Sequence, residues 1–206
     1  MKPTIEALQN KNQFEQIAQI DLHNPTPFFK NYGQGWFIKA FIGLLMLGIG
    51  YLGGSFGAKI AKGLISLSDA PLQALVAFAF MFVVLLPIHE GIHAITYWLI
   101  GAKDVRFSFS KKGFAVFTVA NRHVVHLREY PLLAAAPFVI ITTVLVILMA
   151  QFPNYLTFFT VLVIIHSIAC AGDMMLIDFA IKNWKKEIYN YDDFDEKKSY
   201  FFETVK

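Results

Sequence analysis

The chain has 206 residues, of which 56% are hydrophobic, 16% aromatic and 16% charged, with a mean hydropathy of +0.50 and a net charge of +3. Ordinary soluble domains carry about 25% charged residues, so the composition excludes a soluble globular protein and predicts an integral membrane protein. The small positive charge sits in segments flanking apolar runs, which suits lipid headgroups and excludes a nucleic-acid surface.

Residues 1–35 form a polar amino-terminal segment without the short apolar core of a signal peptide, and they are expected to stay on the mature protein at the cytoplasmic face or interface. Within it, residues 22–35 carry aromatics and prolines suited to an interfacial approach to the first span. Four apolar runs follow, at about 36–58, 71–100, 131–151 and 155–181, each long enough to cross a bilayer. The fold class expected is an all-α membrane protein of about four transmembrane helices, with residues 36–181 as the membrane domain and 182–206 as a cytoplasmic tail. Glycines at 50, 54, 53 and 57 in the first run have the spacing that allows close helix contact. The second run is longer than one crossing requires, so its carboxyl end tilts, kinks or leaves the hydrocarbon.

Between the second and third runs, "VRFSFSKKGFAVFTV" alternates apolar and polar residues on either side of Lys111, Lys112 and Gly113, which predicts a short β-hairpin. Its edge is either a cap on the helices or a ledge for another chain in extended form. Lysine and arginine number 3 in the amino-terminal segment, 6 in residues 101–130 and 6 in the tail, against only Lys59 and Lys62 on the opposite side. The positive-inside rule then puts both termini in the cytoplasm of a multi-pass membrane protein. The lone Cys170 excludes a disulfide within the chain and reads as a buried structural thiol.

The chemistry concentrates in "LLPIHEGIHAITYWLIG", residues 85–101. On a helix His89 and His93 stand one turn apart and reach one ion, while Glu90 projects beside them. That is the logic of H-E-x-x-H: two imidazoles hold zinc, the ion acidifies a bound water, and the carboxylate serves as general base and then acid. Ionisable groups in a bilayer cost about 2.5–3.5 kcal/mol each on insertion scales, so three in one apolar run point to a function. A histidine-bearing helix end at headgroup level is the plainer alternative.

Catalytic zinc needs a third protein ligand. The fourth run offers His166, Asp173 and Asp178. Asp173 is the expected ligand, on the helical face of His166. Asp178, rotated about 140° from it, reads as an interfacial acid beside Lys182, with a ligand role as the alternative. His166 is either a partner to a ligand or a buried histidine satisfied by a carbonyl. Gly172 gives a neighbour room to approach or simply packs. His123 and His126 read as surface residues.

These motifs carry a resemblance. "LPIHEGIHAITYWLIGAK", "LLAAAPF" and "HSIACAGDMMLI", over about residues 70–182, look like a bacterial family of small multi-pass membrane proteins described as zincin peptidases, and more distantly resemble the site-2 protease class of intramembrane zinc metalloproteases. Here Gly172 precedes Asp173, where site-2 proteases carry Asp-Gly after an Asn-Pro. The resemblance implies zinc on His89, His93 and Asp173, with Glu90 as the catalytic acid and base. The expected function is hydrolysis of a membrane-associated protein or peptide in a bacterial cell membrane. The alternative is a non-catalytic metal-binding interaction or regulatory protein, for which Glu90 is dispensable. Haem binding and ion transport fit less well: haem gives Glu90 no job, and no inverted repeat suggests a transporter. Substrate identity and oligomeric state leave no mark in the sequence.

Overall fold

The computed structural model describes residues 2–63, 68–110 and 115–205. In chain order these form α1 (Ile5–Leu8), β1 (Phe14–Asp21), α2 (Thr26–Tyr32), α3 (Trp36–Ala61), α4 (Ala70–Phe80), a π-helical segment (Met81–Leu85) and α5 (Leu86–Leu99). There follow β2 (Val105–Ser110), β3 (Ala115–Ala120), β4 (Val125–His126), α6 (Tyr130–Gln151), α7 (Leu156–Ala169), α8 (Ala171–Lys182), β5 (Ile188–Asp193) and β6 (Lys198–Thr204). The protein is mostly helical. Among the described residues three helical stretches, Trp36–Ala61, Ala70–Leu99 and Leu127–Gln151, are long and apolar enough to cross a membrane, and a fourth is present if α7 and α8 form one broken span. This is the helix complement of a multi-pass membrane protein.

The chain divides into two compact units. One comprises residues 1–38, 90–136 and 172–206; the other comprises residues 39–89 and 137–171.

The first unit holds a four-stranded antiparallel sheet in the order β1-β6-β5-β4, which the all-helical expectation did not include. Ala18 and Ile20 of β1, Ile188 of β5 and Phe201 of β6 point into one apolar core. Phe28 of α2 stacks on Phe201 at 5.6 Å between ring centroids, and Phe179 of α8 meets Phe201 edge-on at 5.2 Å. Aromatic pairs at these spacings add to the burial of their area. The strands were hidden because residues 182–206 mix acids, lysines and aromatics in a way that reads as a solvated tail. β5 turns into β6 over a loop that Asp193 ties with its Oδ1, accepting from the Asp195 and Glu196 amides at 3.0 Å each. The buried Asn190 is fully engaged, accepting from the Tyr130 hydroxyl at 2.7 Å and donating to Ser199 Oγ at 2.7 Å and the Tyr200 carbonyl at 3.0 Å. Strands β2 and β3 form a separate antiparallel pair, in register from Val105 opposite Ala120 to Ser110 opposite Ala115. The expected turn at Lys111, Lys112 and Gly113 lies outside the described residues.

Asp178 anchors the start of α3 to α8. Its carboxylate accepts the amides of Gly35 at 2.7 Å, Phe37 at 3.1 Å and Ile38 at 3.3 Å, and Lys182 lies 3.4 Å away. These are the unsatisfied donors of a helix amino terminus, where the helix dipole also favours an anion. A Cβ on Gly35 would collide with that carboxylate. The Gly35 amide is bonded to the same group, so the backbone cannot retreat without breaking the cap. Gly35→Ala is expected to lower stability by about 1–3 kcal/mol, seen as a lower melting temperature of the purified protein in detergent.

Asp192 of β5 is buried, with the Ala120 amide donating to Oδ2 at 3.3 Å. Burial pushes its pKa up to about 6, against the smaller opposing pull of Ser199 and the Ala120 amide. A carboxyl whose folded pKa is raised favours the fold while protonated, so this contribution is complete below the ordinary aspartate pKa and is lost as pH rises through about 6. Melting curves from pH 4.5 to 7.5 should show the wild type losing stability with rising pH relative to Asp192→Asn, which has no charge to bury.

In the second unit, α4 and α7 pack together with Gln73 as a polar rivet: its Nε2 donates to the Asn154 carbonyl at 2.9 Å, and its Oε1 accepts the Phe158 amide at 3.2 Å. Phe80 meets Phe158 edge-on at 5.5 Å. Many large apolar side chains of α3 and α4, such as Leu44, Leu47, Leu72 and Leu75, are exposed, as expected of surfaces solvated by lipid. The glycines at 50, 53, 54 and 57 were expected to give close helix contact, yet a Cβ at any of them would meet nothing within 4 Å among the described residues.

Candidate metal centre

The overlong second run is not one uniform helix. Pro87 has no N–H to give the Val83 carbonyl, and the turn before it widens, with Leu86 N bonding to Met81 O across five residues. The H-E-x-x-H begins two residues after Pro87, so it lies within the regular α5 and keeps its one-turn spacing. His89 and His93 therefore leave the same face of one helix, and Glu90 is turned to the side.

In the first unit the structure brings together Glu90, His93 and Asp173. His93 Nε2 stands 3.4 Å from Asp173 Oδ1. Its other nitrogen, Nδ1, bonds to the Leu133 carbonyl at 3.0 Å, which requires the proton on Nδ1 and turns Nε2 toward Asp173. Zinc bonds of about 2.0–2.1 Å to nitrogen and about 2.0–2.2 Å to oxygen give a tetrahedral N–O edge of about 3.4 Å. The donor pair fits a zinc ion. Glu90 is buried, and the Thr118 hydroxyl lies 2.8 Å from its Oε2 and 3.0 Å from its carbonyl oxygen. Thr118 belongs to β3, so that strand runs beside the carboxylate. A cavity of about 90 Å³ is bounded by Glu90, His93, Asp173, Thr118 and Leu133 among others, room for a few waters but not for a peptide.

In the second unit His89 lies with His166 and Cys170. His89 Nδ1 is 3.3 Å from His166 Nε2, and Cys170 Sγ is 3.6 Å from His166 Nε2 and 3.9 Å from His89 Nδ1. Cys170 is buried as expected.

The fourth run differs from expectation in one respect. It is interrupted at Cys170, where α7 ends and α8 begins, so the helical period does not carry from His166 to Asp173 and the shared face inferred for them has no basis. Asp178 is engaged by the amides of residues 35, 37 and 38. Gly172 does not serve a tight approach, because a Cβ there would meet only Phe29 at 3.8 Å among the described residues. His126 is not a plain surface residue: its Nδ1 accepts the Arg128 amide at 3.0 Å and its Nε2 contacts Glu187 at 3.0 Å. Sequence reasoning missed Thr118 and Leu133, whose roles depend on which side chain folding brings opposite them. No local pattern marks either.

Membrane-length helices, an H-E-x-x-H and an acid from a later helix against its second histidine together supply the donor types that metallopeptidase centres use. The family described as "Putative zincin peptidase" matches residues 82–189, and the chain belongs to it. Membership points to a zinc metallopeptidase, and the matched stretch contains His89, Glu90, His93, His166, Cys170 and Asp173. No curated protein and no solved structure matches the chain.

Proposed function

We propose that the chain is an intramembrane zinc peptidase that hydrolyses a membrane-associated protein or peptide, with His89, His93 and Asp173 as zinc ligands and Glu90 as the acid and base. The observation that carries this reading is the 3.4 Å approach of Asp173 Oδ1 to His93 Nε2, on an imidazole already oriented by Leu133. Zinc, when bound, supplies a Lewis acid that polarises the scissile carbonyl and acidifies water.

The remaining steps belong to the protein. Glu90, with Oε2 held by Thr118, takes a proton from the attacking water and returns it to the leaving amine. The cavity beside it admits the water that hydrolysis consumes. Val116, Phe117 and Thr118 wall that cavity with a strand, and a substrate segment lying extended beside β3 would expose a carbonyl that an intact helix hides. By the excess of Lys and Arg on one side we assign the site to the cytoplasmic half of a bacterial cell membrane, with both termini cytoplasmic.

The test is chelation of the purified protein followed by zinc restoration, read by cleavage of a quenched-fluorescent peptide library in micelles. Activity is expected to vanish with the metal and return with it. Cleavage that persists in the fully demetallated protein would refute the reading.

A further inference from the structure

The cluster of His89, His166 and Cys170 has its own chemistry. His166 and Cys170 stand one turn apart at the end of α7, where the Cys170 amide donates to the His166 carbonyl at 3.0 Å, so both side chains serve one face. All three residues are buried, His166 and Cys170 completely. Zinc bonds of about 2.0–2.1 Å to nitrogen and about 2.3 Å to sulfur give tetrahedral edges of about 3.3 Å between nitrogens and about 3.6 Å between nitrogen and sulfur. The observed edges are 3.3, 3.6 and 3.9 Å. A histidine–histidine hydrogen bond would account for the first edge alone. What points to an ion is that all three edges together, with both nitrogens and the sulfur facing one another, have the size of one face of a tetrahedral site.

We propose that His89 Nδ1, His166 Nε2 and Cys170 Sγ form a second metal site, distinct from the one in the proposed function, that takes a borderline or soft cation such as zinc. Two imidazoles and a thiolate are a donor set for that class, and three ligands leave one vertex for a water or an exchanging group. Binding ionises the thiol, whose proton leaves to solvent, and no electrons move. The site uses neither His93, Glu90 nor Asp173, so it does not rest on the peptidase reading. His89 is the residue the two readings share.

Cys170 is the sole cysteine of the chain, which makes a thiolate signal unambiguous. The full-length protein in detergent, demetallated and kept reduced, is titrated with Co²⁺ and followed by absorption. A thiolate-to-cobalt charge-transfer band is expected in the wild type and, at the same intensity per chain, in Asp173→Ala. Cys170→Ser should abolish the band, and His166→Gln should weaken the cobalt affinity that it reports at least about tenfold. A cobalt-saturated wild type without the band overturns the proposal. So does its loss in an Asp173→Ala protein that elutes and melts as a folded species, because the thiol would then belong to a site that needs Asp173. Failure of the peptidase reading is separately visible, as zinc content indifferent to Asp173→Ala while the thiolate band persists.

Discussion

Glu90→Gln is expected to reduce peptide hydrolysis at least about a hundredfold while leaving zinc content unchanged, the range general acid–base groups contribute. The substitution changes one terminal atom group, and its amide oxygen can still accept from the Thr118 hydroxyl that now lies 2.8 Å from Oε2. What it loses is the ability to take a proton from water and pass it on. The comparison separates the two functional classes the sequence leaves open. A metal-binding interaction protein has no use for a base, so its behaviour should be indifferent to Glu90→Gln. The measurement is a paired assay of wild type and variant on the same peptide library at equal zinc loading.

Asp178→Ala is expected to be the most damaging single change to the fold. Three backbone amides at the start of α3, from Gly35, Phe37 and Ile38, lose their acceptor at once, in a position where Asp178 is completely buried. Each buried donor left unsatisfied costs about 1–3 kcal/mol, and whole domains are stable by only about 5–15 kcal/mol. The variant should fail to accumulate in membranes, whereas Asp178→Asn, which keeps one acceptor oxygen, should recover part of the loss. Zinc content in folded Asp178→Asn should equal that of the wild type. Those outcomes would assign the two acids of α8 different work: Asp173 to the metal, Asp178 to the helix start. A normally expressed Asp178→Ala protein that lacks zinc would reverse the assignment.

The legible and illegible parts of this protein differ in range along the chain. His89, Glu90 and His93 lie within five residues, so helical spacing alone predicts that the two histidines share a side with Glu90 turned beside them, and the π-helical offset before Pro87 ends before it can disturb them. The membrane-length helices were legible because apolar runs need no partner to be recognised. The four-stranded sheet was not, because β1 pairs with β6 across nearly the whole chain and each strand alone is short and interleaves polar with apolar residues. The interruption at Cys170 carries no proline to mark it in a run that is long and apolar enough to read as one helix, and with it went the inference that His166 and Asp173 share a face. The choice between Asp173 and Asp178 was open for the same reason: helical angle does not say what stands opposite. Thr118 and Leu133 lie 28 and 40 residues from the Glu90 and His93 groups they engage.

The central claim, a zinc ion held by His89, His93 and Asp173 with Glu90 outside the coordination sphere, is tested most directly by metal analysis of purified variants. Relative to wild type, His93→Ala and Asp173→Ala should each lose about one equivalent of zinc, since a catalytic site stripped of one of its three protein ligands binds weakly. Glu90→Gln should lose none. Zinc content unchanged in both His93→Ala and Asp173→Ala, or lost in Glu90→Gln, would contradict the account.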